Sequence, residues 1–97
     1  MRQRARVDNN QKQITDEIRK QDGFCVEITS QLGRGFPDII VGYKKKIAVL
    51  VEIKDPSKPW KLTPDEIKFK EKTQCPYLVA ETSEEIIDYI FRKLAEM

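Results

Sequence analysis

Gly35-Phe36-Pro37-Asp38-Ile39-Ile40-Val41 and, after a polar break at Gly42–Lys46, Ile47-Ala48-Val49-Leu50-Val51-Glu52-Ile53-Lys54 decide the reading of this chain. Two short apolar runs rich in β-branched residues and bounded by turn residues favour buried strands over helix. An antiparallel pair turning around Tyr43–Lys46 brings the start of the first strand beside the end of the second. Asp38 opens the first run and Glu52 closes the second, so the pairing makes them neighbours. Side chains alternate along a strand, so Glu52 and Lys54 share one face while Val51 and Ile53 take the other. A strand this apolar up to Val51 is expected to be central, and charges at its end call for an explanation.

Two carboxylates and a lysine at one strand end suit metal-assisted phosphodiester hydrolysis. Mg²⁺ prefers hard oxygen ligands, commonly one or two carboxylates completed by water and substrate phosphate. Asp38, Glu52 and the backbone carbonyl of Ile53 are the candidate ligands. The ion would polarise the scissile phosphate and lower the pKa of a bound water. Lys54 would orient that water or offset charge developing on the phosphate. The chain has no histidine, which excludes a His-based hydrolytic site. Glu-x-Lys alone is a weak signal, because such pairs commonly mark a solvated face or an ion pair capping a sheet edge.

With these residues in view, the chain resembles a stand-alone VRR-NUC domain, a branch of the PD-(D/E)xK nuclease superfamily. Gly35-Phe36-Pro37-Asp38 resembles the family's GxPD, Glu52-Ile53-Lys54 its ExK, and Leu62-Thr63-Pro64 its L-(S/T)-P. The family pattern also has an acidic residue on the first helix, for which Glu17 is the best match. The similarity runs from about Asn9 to Leu94. Where the family often has Gln two residues after the L-(S/T)-P proline, this chain has Glu66.

The resemblance implies an α/β, restriction-endonuclease-like core with a mixed sheet of about four strands. It implies a Mg²⁺-dependent DNA endonuclease, with Mn²⁺ able to substitute. Asp38, Glu52 and Glu17 would bind the metal, Glu17 directly or through water, and Lys54 would be the catalytic lysine. Stand-alone members resemble Holliday junction resolvases, so a C2 homodimer cutting four-way junctions is the expected form. Alternatives are a flap- or nick-processing nuclease, a non-catalytic DNA-binding module, and an interaction protein using its last helix.

The residue pattern orders the elements α-β-β-β-α-β-α. Asn9 or Asn10 caps a helix to about Gln21, ended by Asp22-Gly23. Its thin apolar stripe is Ile14 and Ile18, and Glu17 borders it. Phe24–Thr29 reads as the first strand. Thr63, Pro64 and Glu66 occupy the N-cap, N1 and N3 of the next helix as a capping box. Pro76–Ala80 reads as the fourth strand. Ser83 is the expected cap of the last helix, with Glu84 and Glu85 placed favourably against its dipole. That helix carries a broad stripe of Ile86, Ile87, Ile90, Phe91 and Leu94, part of which suits a partner.

Ninety-seven residues make one domain with a small core. Residues 1–8, with Arg2, Arg4 and Arg6, read as a basic arm, flexible or in contact with substrate. The net charge is +2 but uneven: residues 1–60 carry 12 Lys/Arg against 8 Asp/Glu, and residues 61–97 carry 6 against 8. The basic half holds the proposed site, which fits a phosphate-facing surface; ordinary solubilising charge accounts for it equally simply. Candidate DNA contacts are Arg34 in the Gly-rich loop, Lys44, Lys45 and Lys46 at the hairpin tip, and Lys58 and Lys61 in the linker. The hairpin-tip lysines lie far from the metal end. Trp60 either packs over the core or stacks on a base, core or interface packing being the simpler expectation. Two cysteines are too few for a disulfide or metal framework, and Cys25, within an apolar run, is expected to be a buried thiol. No segment suits a signal sequence or a bilayer span, which points to a soluble, cytoplasmic protein of a bacterial or phage-infected cell, without a membrane partner.

Overall fold

A computed structural model describes residues 10–97. The basic arm and Asn9 lie outside the described residues. The elements run α1 (Gln11–Arg19), β1 (Phe24–Ile28), a 3-10 turn (Ser30–Leu32), β2 (Ile39–Tyr43), β3 (Ile47–Ile53), α2 (Pro64–Lys72), β4 (Tyr77–Ala80) and α3 (Ser83–Ala95). This is the expected α/β order. The four strands form one mixed sheet, β1-β2-β3-β4, antiparallel except for the parallel β3–β4 pair that α2 connects.

Register sorts the side chains onto two faces. Val26 pairs with Val41 and Val41 with Val49; Ile39 pairs with Val51 and Val51 with Leu78; Ile53 pairs with Ala80. That face is the core, covered by Ile14 and Ile18 of α1 and Ile86 and Ile90 of α3. The opposite face carries Leu50, Glu52, Tyr77 and Val79, by the same alternation. α2 touches this second face through Phe69, whose ring lies 5.1 Å from Phe36 and 6.1 Å from Tyr77. No residue of α2 is buried, so the helix is a thin cover rather than a packed layer.

Local chemistry sets the helix ends. The Thr63–Glu66 capping box forms as the sequence reading anticipates. At α3 the expectation of a Ser83 cap is corrected: Thr82 is the N-cap, its hydroxyl accepting from Glu85 N–H while Glu85 reaches back. The spacing explains this, because an acid stands three residues after Thr82, whereas Ile86 stands three after Ser83. α1 stops at Arg19, short of Gln21, and Asn10 caps it without a side-chain bond to the helix.

Two further expectations are corrected. Cys25 is exposed, not buried, because on edge strand β1 it alternates with inward-facing Val26. Trp60 is not in the core: it is 43 % exposed, and its indole N–H donates to Glu81 Oε2 at 2.7 Å. In α3, Ile86 and Ile90 are fully buried. Phe91 stays 47 % exposed at the stripe's edge, packing on Phe24 and Tyr43. Among the described residues, no helix is long and apolar enough to cross a membrane.

Candidate active site

The site lies where β2 begins and β3 ends. Asp38 N–H donates to the Val51 carbonyl and Thr29 N–H to the Asp38 carbonyl, so the backbone of Asp38 is held on both sides. Pro37 before it is buried, and its carbonyl accepts from the Thr29 hydroxyl at 2.8 Å. Asp38 stands one residue before the Ile39–Val51 pair, and its carboxylate lies close enough to Glu52 for its charge to act on that group. Asp38 Oδ2 accepts from Ile53 N–H at 2.7 Å. A strand residue turns its N–H and C=O to the same side, so the Ile53 carbonyl also faces the β2 side, where Asp38 lies. Lys54 N–H turns the other way, to the Ala80 carbonyl. β2 begins only at Ile39, opposite Val51, which leaves that side of Ile53 beyond the ladder.

The three charged groups are buried, Asp38 at 7 %, Glu52 at 3 % and Lys54 at 9 % exposure. α2 adds a fourth, Glu66, which stands where the resembled family often has Gln and which also closes the capping box. Glu66 Oε1 accepts from Lys54 Nζ at 3.0 Å and from Thr63 N–H at 2.9 Å, while Lys54 Nζ lies 3.6 Å from Glu52. The capping box that starts α2 therefore also holds the site lysine. The Leu62-Thr63-Pro64 motif and its spacing to Glu66 were visible in the sequence; that a glutamate there would still reach the lysine was not.

Three carboxylates share this pocket with one ammonium. Burial, then the charge of Asp38, then the bond and charge of Glu66, push the Glu52 carboxyl up to about 10, only partly offset by Lys54. Burial opposes ionisation of Glu66 too, yet bonds from Thr63, Lys54 and Glu52 keep it below the ordinary glutamate value. The two carboxyls thus shift in opposite directions, Glu52 upward and Glu66 downward. Tyr77, deep beside them, has its phenol raised by burial and by the acids Glu52, Glu66 and Asp38. Glu52 Oε1 and the Tyr77 hydroxyl are both buried without a hydrogen-bond partner.

The other expected residues scatter. Glu17 is directed elsewhere: it accepts from Ser83 Oγ at 2.7 Å and Gln13 Nε2 at 3.1 Å, on a helix packed over the opposite face of the sheet. Its i, i+4 relation to Gln13 and the start of α3 beside it account for that placement. What α1 does bring to the strand end is Asn10, whose amide donates to the carbonyls of Lys54 and Glu81, each at 3.1 Å. Lys44, Lys45 and Lys46 are exposed at the hairpin tip, the far end of β2 and β3. Lys58 and Lys61 are exposed in the segment after Lys54. Arg34 is exposed on the loop that leads to Asp38.

Among the described residues, no three His, Cys, Asp or Glu side chains are arranged to hold a metal ion between them. The fit for Mg²⁺ therefore rests on two carboxylates, Asp38 and Glu52, and the Ile53 carbonyl. That donor set is hard, excess negative charge surrounds it, and one Glu52 oxygen lacks a partner, all of which suit a small divalent cation. In comparisons with known proteins, no family model, no curated protein and no solved structure matches this chain.

Proposed function

We propose that this protein is a metal-dependent endonuclease that hydrolyses phosphodiester bonds in DNA. The observation that carries the reading is the convergence of Asp38, Glu52 and Lys54, all buried, at one strand end with more carboxylates than cations around them. A buried carboxylate excess is costly unless something offsets it, and a proton on Glu52 or a divalent cation are the two means available. Asp38, Glu52 and the Ile53 carbonyl would hold Mg²⁺, or Mn²⁺ in its place. When bound, that ion supplies Lewis-acid polarisation of a phosphate oxygen and a water of lowered pKa.

The remaining work falls to the chain's own groups. Ile53 N–H fixes the Asp38 carboxylate. Lys54 Nζ, placed by Glu66, faces the substrate phosphate and offsets charge that develops there. With no histidine in the chain, proton transfer to the leaving oxygen would fall to Lys54 or to a metal-bound water. The preferred substrate is a four-way junction cut by a C2 homodimer, because one small domain carries one site and two symmetric sites would match paired strands. This part rests on the motif resemblance.

A second reading keeps the same residues as a structural ion cluster in a DNA-binding module. The direct Lys54 contacts to both Glu52 and Glu66 favour it, since a closed cluster needs no metal. Cleavage assays on linear duplex, single strand, flap and four-way junction, each with Mg²⁺, EDTA or Lys54→Ala, separate the readings. Paired cuts in the junction alone, lost with EDTA and reduced at least about 100-fold in the variant, are the expected result. Cuts in flaps or linear duplex would retain the nuclease and remove the junction. No cutting with Mg²⁺ or Mn²⁺, and no calorimetric Mg²⁺ binding that Asp38→Ala abolishes, would favour the ion cluster. Sedimentation showing only monomer at micromolar concentration would remove the dimer.

A further inference from the structure

A pocket of about 280 Å³ opens between the loop before Asp38 and α2, lined by Arg34, Asp65, Lys68, Phe69, Lys72 and Thr73. Asp65, Lys68, Phe69 and Lys72 stand at i, i+3, i+4 and i+7, so one face of α2 looks into it. Three cations meet one acid there. None of the ion pairs among the described residues engages Arg34, Lys68 or Lys72. α2 buries nothing, so core packing does not explain this charge.

The loop itself adds a second observation. Arg34 sits at φ +58° between Gly33 at +69° and Gly35 at +81°. A glycine would occupy that left-handed position without strain, whereas an arginine there costs about 1–2 kcal/mol. The left-handed turn carries the Arg34 side chain out at the pocket's rim, facing Lys68 and Lys72 across it.

The pocket's α2 wall is joined to the candidate active site through the chain, Asp65 lining the pocket and Glu66 next to it reaching Lys54. A Cβ on Gly35 would collide with the Asp65 carbonyl, so the loop backbone rests directly on the first turn of α2. The next residue, Glu66, holds Lys54. We propose that this pocket binds a phosphate of the nucleic-acid backbone flanking the one presented to Lys54, with Arg34, Lys68 and Lys72 as donors. The choice of a phosphodiester over other anions rests on the Arg fork and paired lysines together with the apolar Phe69 surface, which suits a sugar. The proposal deepens the nuclease reading and rests on it for the identity of the neighbouring phosphate.

The test is fluorescence anisotropy with a labelled duplex oligonucleotide in EDTA, at several salt concentrations, using Lys68→Ala/Lys72→Ala and Arg34→Gln. The reference is Lys20→Ala/Lys93→Ala, which removes equal charge from α3 and the end of α1. The double variant is expected to weaken binding at least about 10-fold and to lower the salt slope by about 2, Arg34→Gln by about 1, with Tm unchanged and the reference variant unaffected. Wild-type affinity and slope in the pocket variants would overturn the proposal while leaving Mg²⁺-dependent cleavage intact. Absence of oligonucleotide binding by the wild type, or equal binding of a poly-glutamate peptide, would also overturn it. Pocket-dependent binding without any cleavage would uphold the pocket and remove the nuclease reading.

Discussion

Glu52 is the residue whose environment makes the sharpest demand. Its carboxyl is raised from 4.5 to about 10 by burial first and by the Asp38 charge second. A folded-state pKa above the unfolded one means that the folded chain binds the extra proton. The associated stability is complete below about pH 4.5 and is lost as pH rises toward 10. In EDTA, Tm is therefore expected to fall across that range, and Glu52→Gln to flatten the fall. At pH 8 the variant should be the more stable by at least about 1 kcal/mol, roughly 4–8 °C in a domain of this size. Parallel Tm–pH curves for the two proteins would refute this origin. Glu66 makes a separate demand, because one oxygen serves both a helix cap and the site lysine. Glu66→Ala should cost about 1 kcal/mol and lower kcat about 10-fold or more, whereas Glu66→Gln, able to accept both bonds, should recover most of the Tm. Equal loss of Tm in both variants would separate the cap from the charge.

Elements differ in how they are held. β3 is paired on both sides and lies between two covered faces, whereas α2 is attached by its cap, by Phe69 and by the seat at Gly35. Gly35→Ala meets both a positive φ and the Asp65 carbonyl. It is expected to destabilise the protein by about 1–2 kcal/mol. Its effect on cleavage should be larger than its effect on Tm, because displacement of α2 releases Glu66 from Lys54. Amide exchange should then rise across residues 64–72 while β2 and β3 stay protected; uniform loss of protection would contradict the local attachment.

At the scale of the molecule, one core carries the stability. Ile14, Ile18, Val41, Val51, Ile86 and Ile90 form a single cluster between the sheet and two helices. Ile90→Ala should cost about 2–5 kcal/mol, a large part of the 5–15 kcal/mol typical of a whole domain. Denaturant unfolding checks this, and a loss below about 1 kcal/mol would mean that α3 packs more loosely than its burial indicates. The opposite face of the sheet has no comparable filling. That asymmetry leaves room for charged groups at the strand ends on the α2 side.

The sequence alone determined the element order, the β2–β3 hairpin and the meeting of Asp38 with Glu52. These follow from period-two alternation, turn residues and capping boxes, all of which act over a few neighbouring residues. Even there, the choice between Thr82 and Ser83 as cap depended on which hydroxyl had an acid three residues on. Only the tertiary structure decided what lies across space from the strand end. It brought Glu66 to Lys54, turned Glu17 toward Ser83, exposed Cys25 and opened the Arg34–Lys68–Lys72 pocket. Each of these depends on how helices settle on a twisted sheet, and no spacing along the chain encodes that settlement.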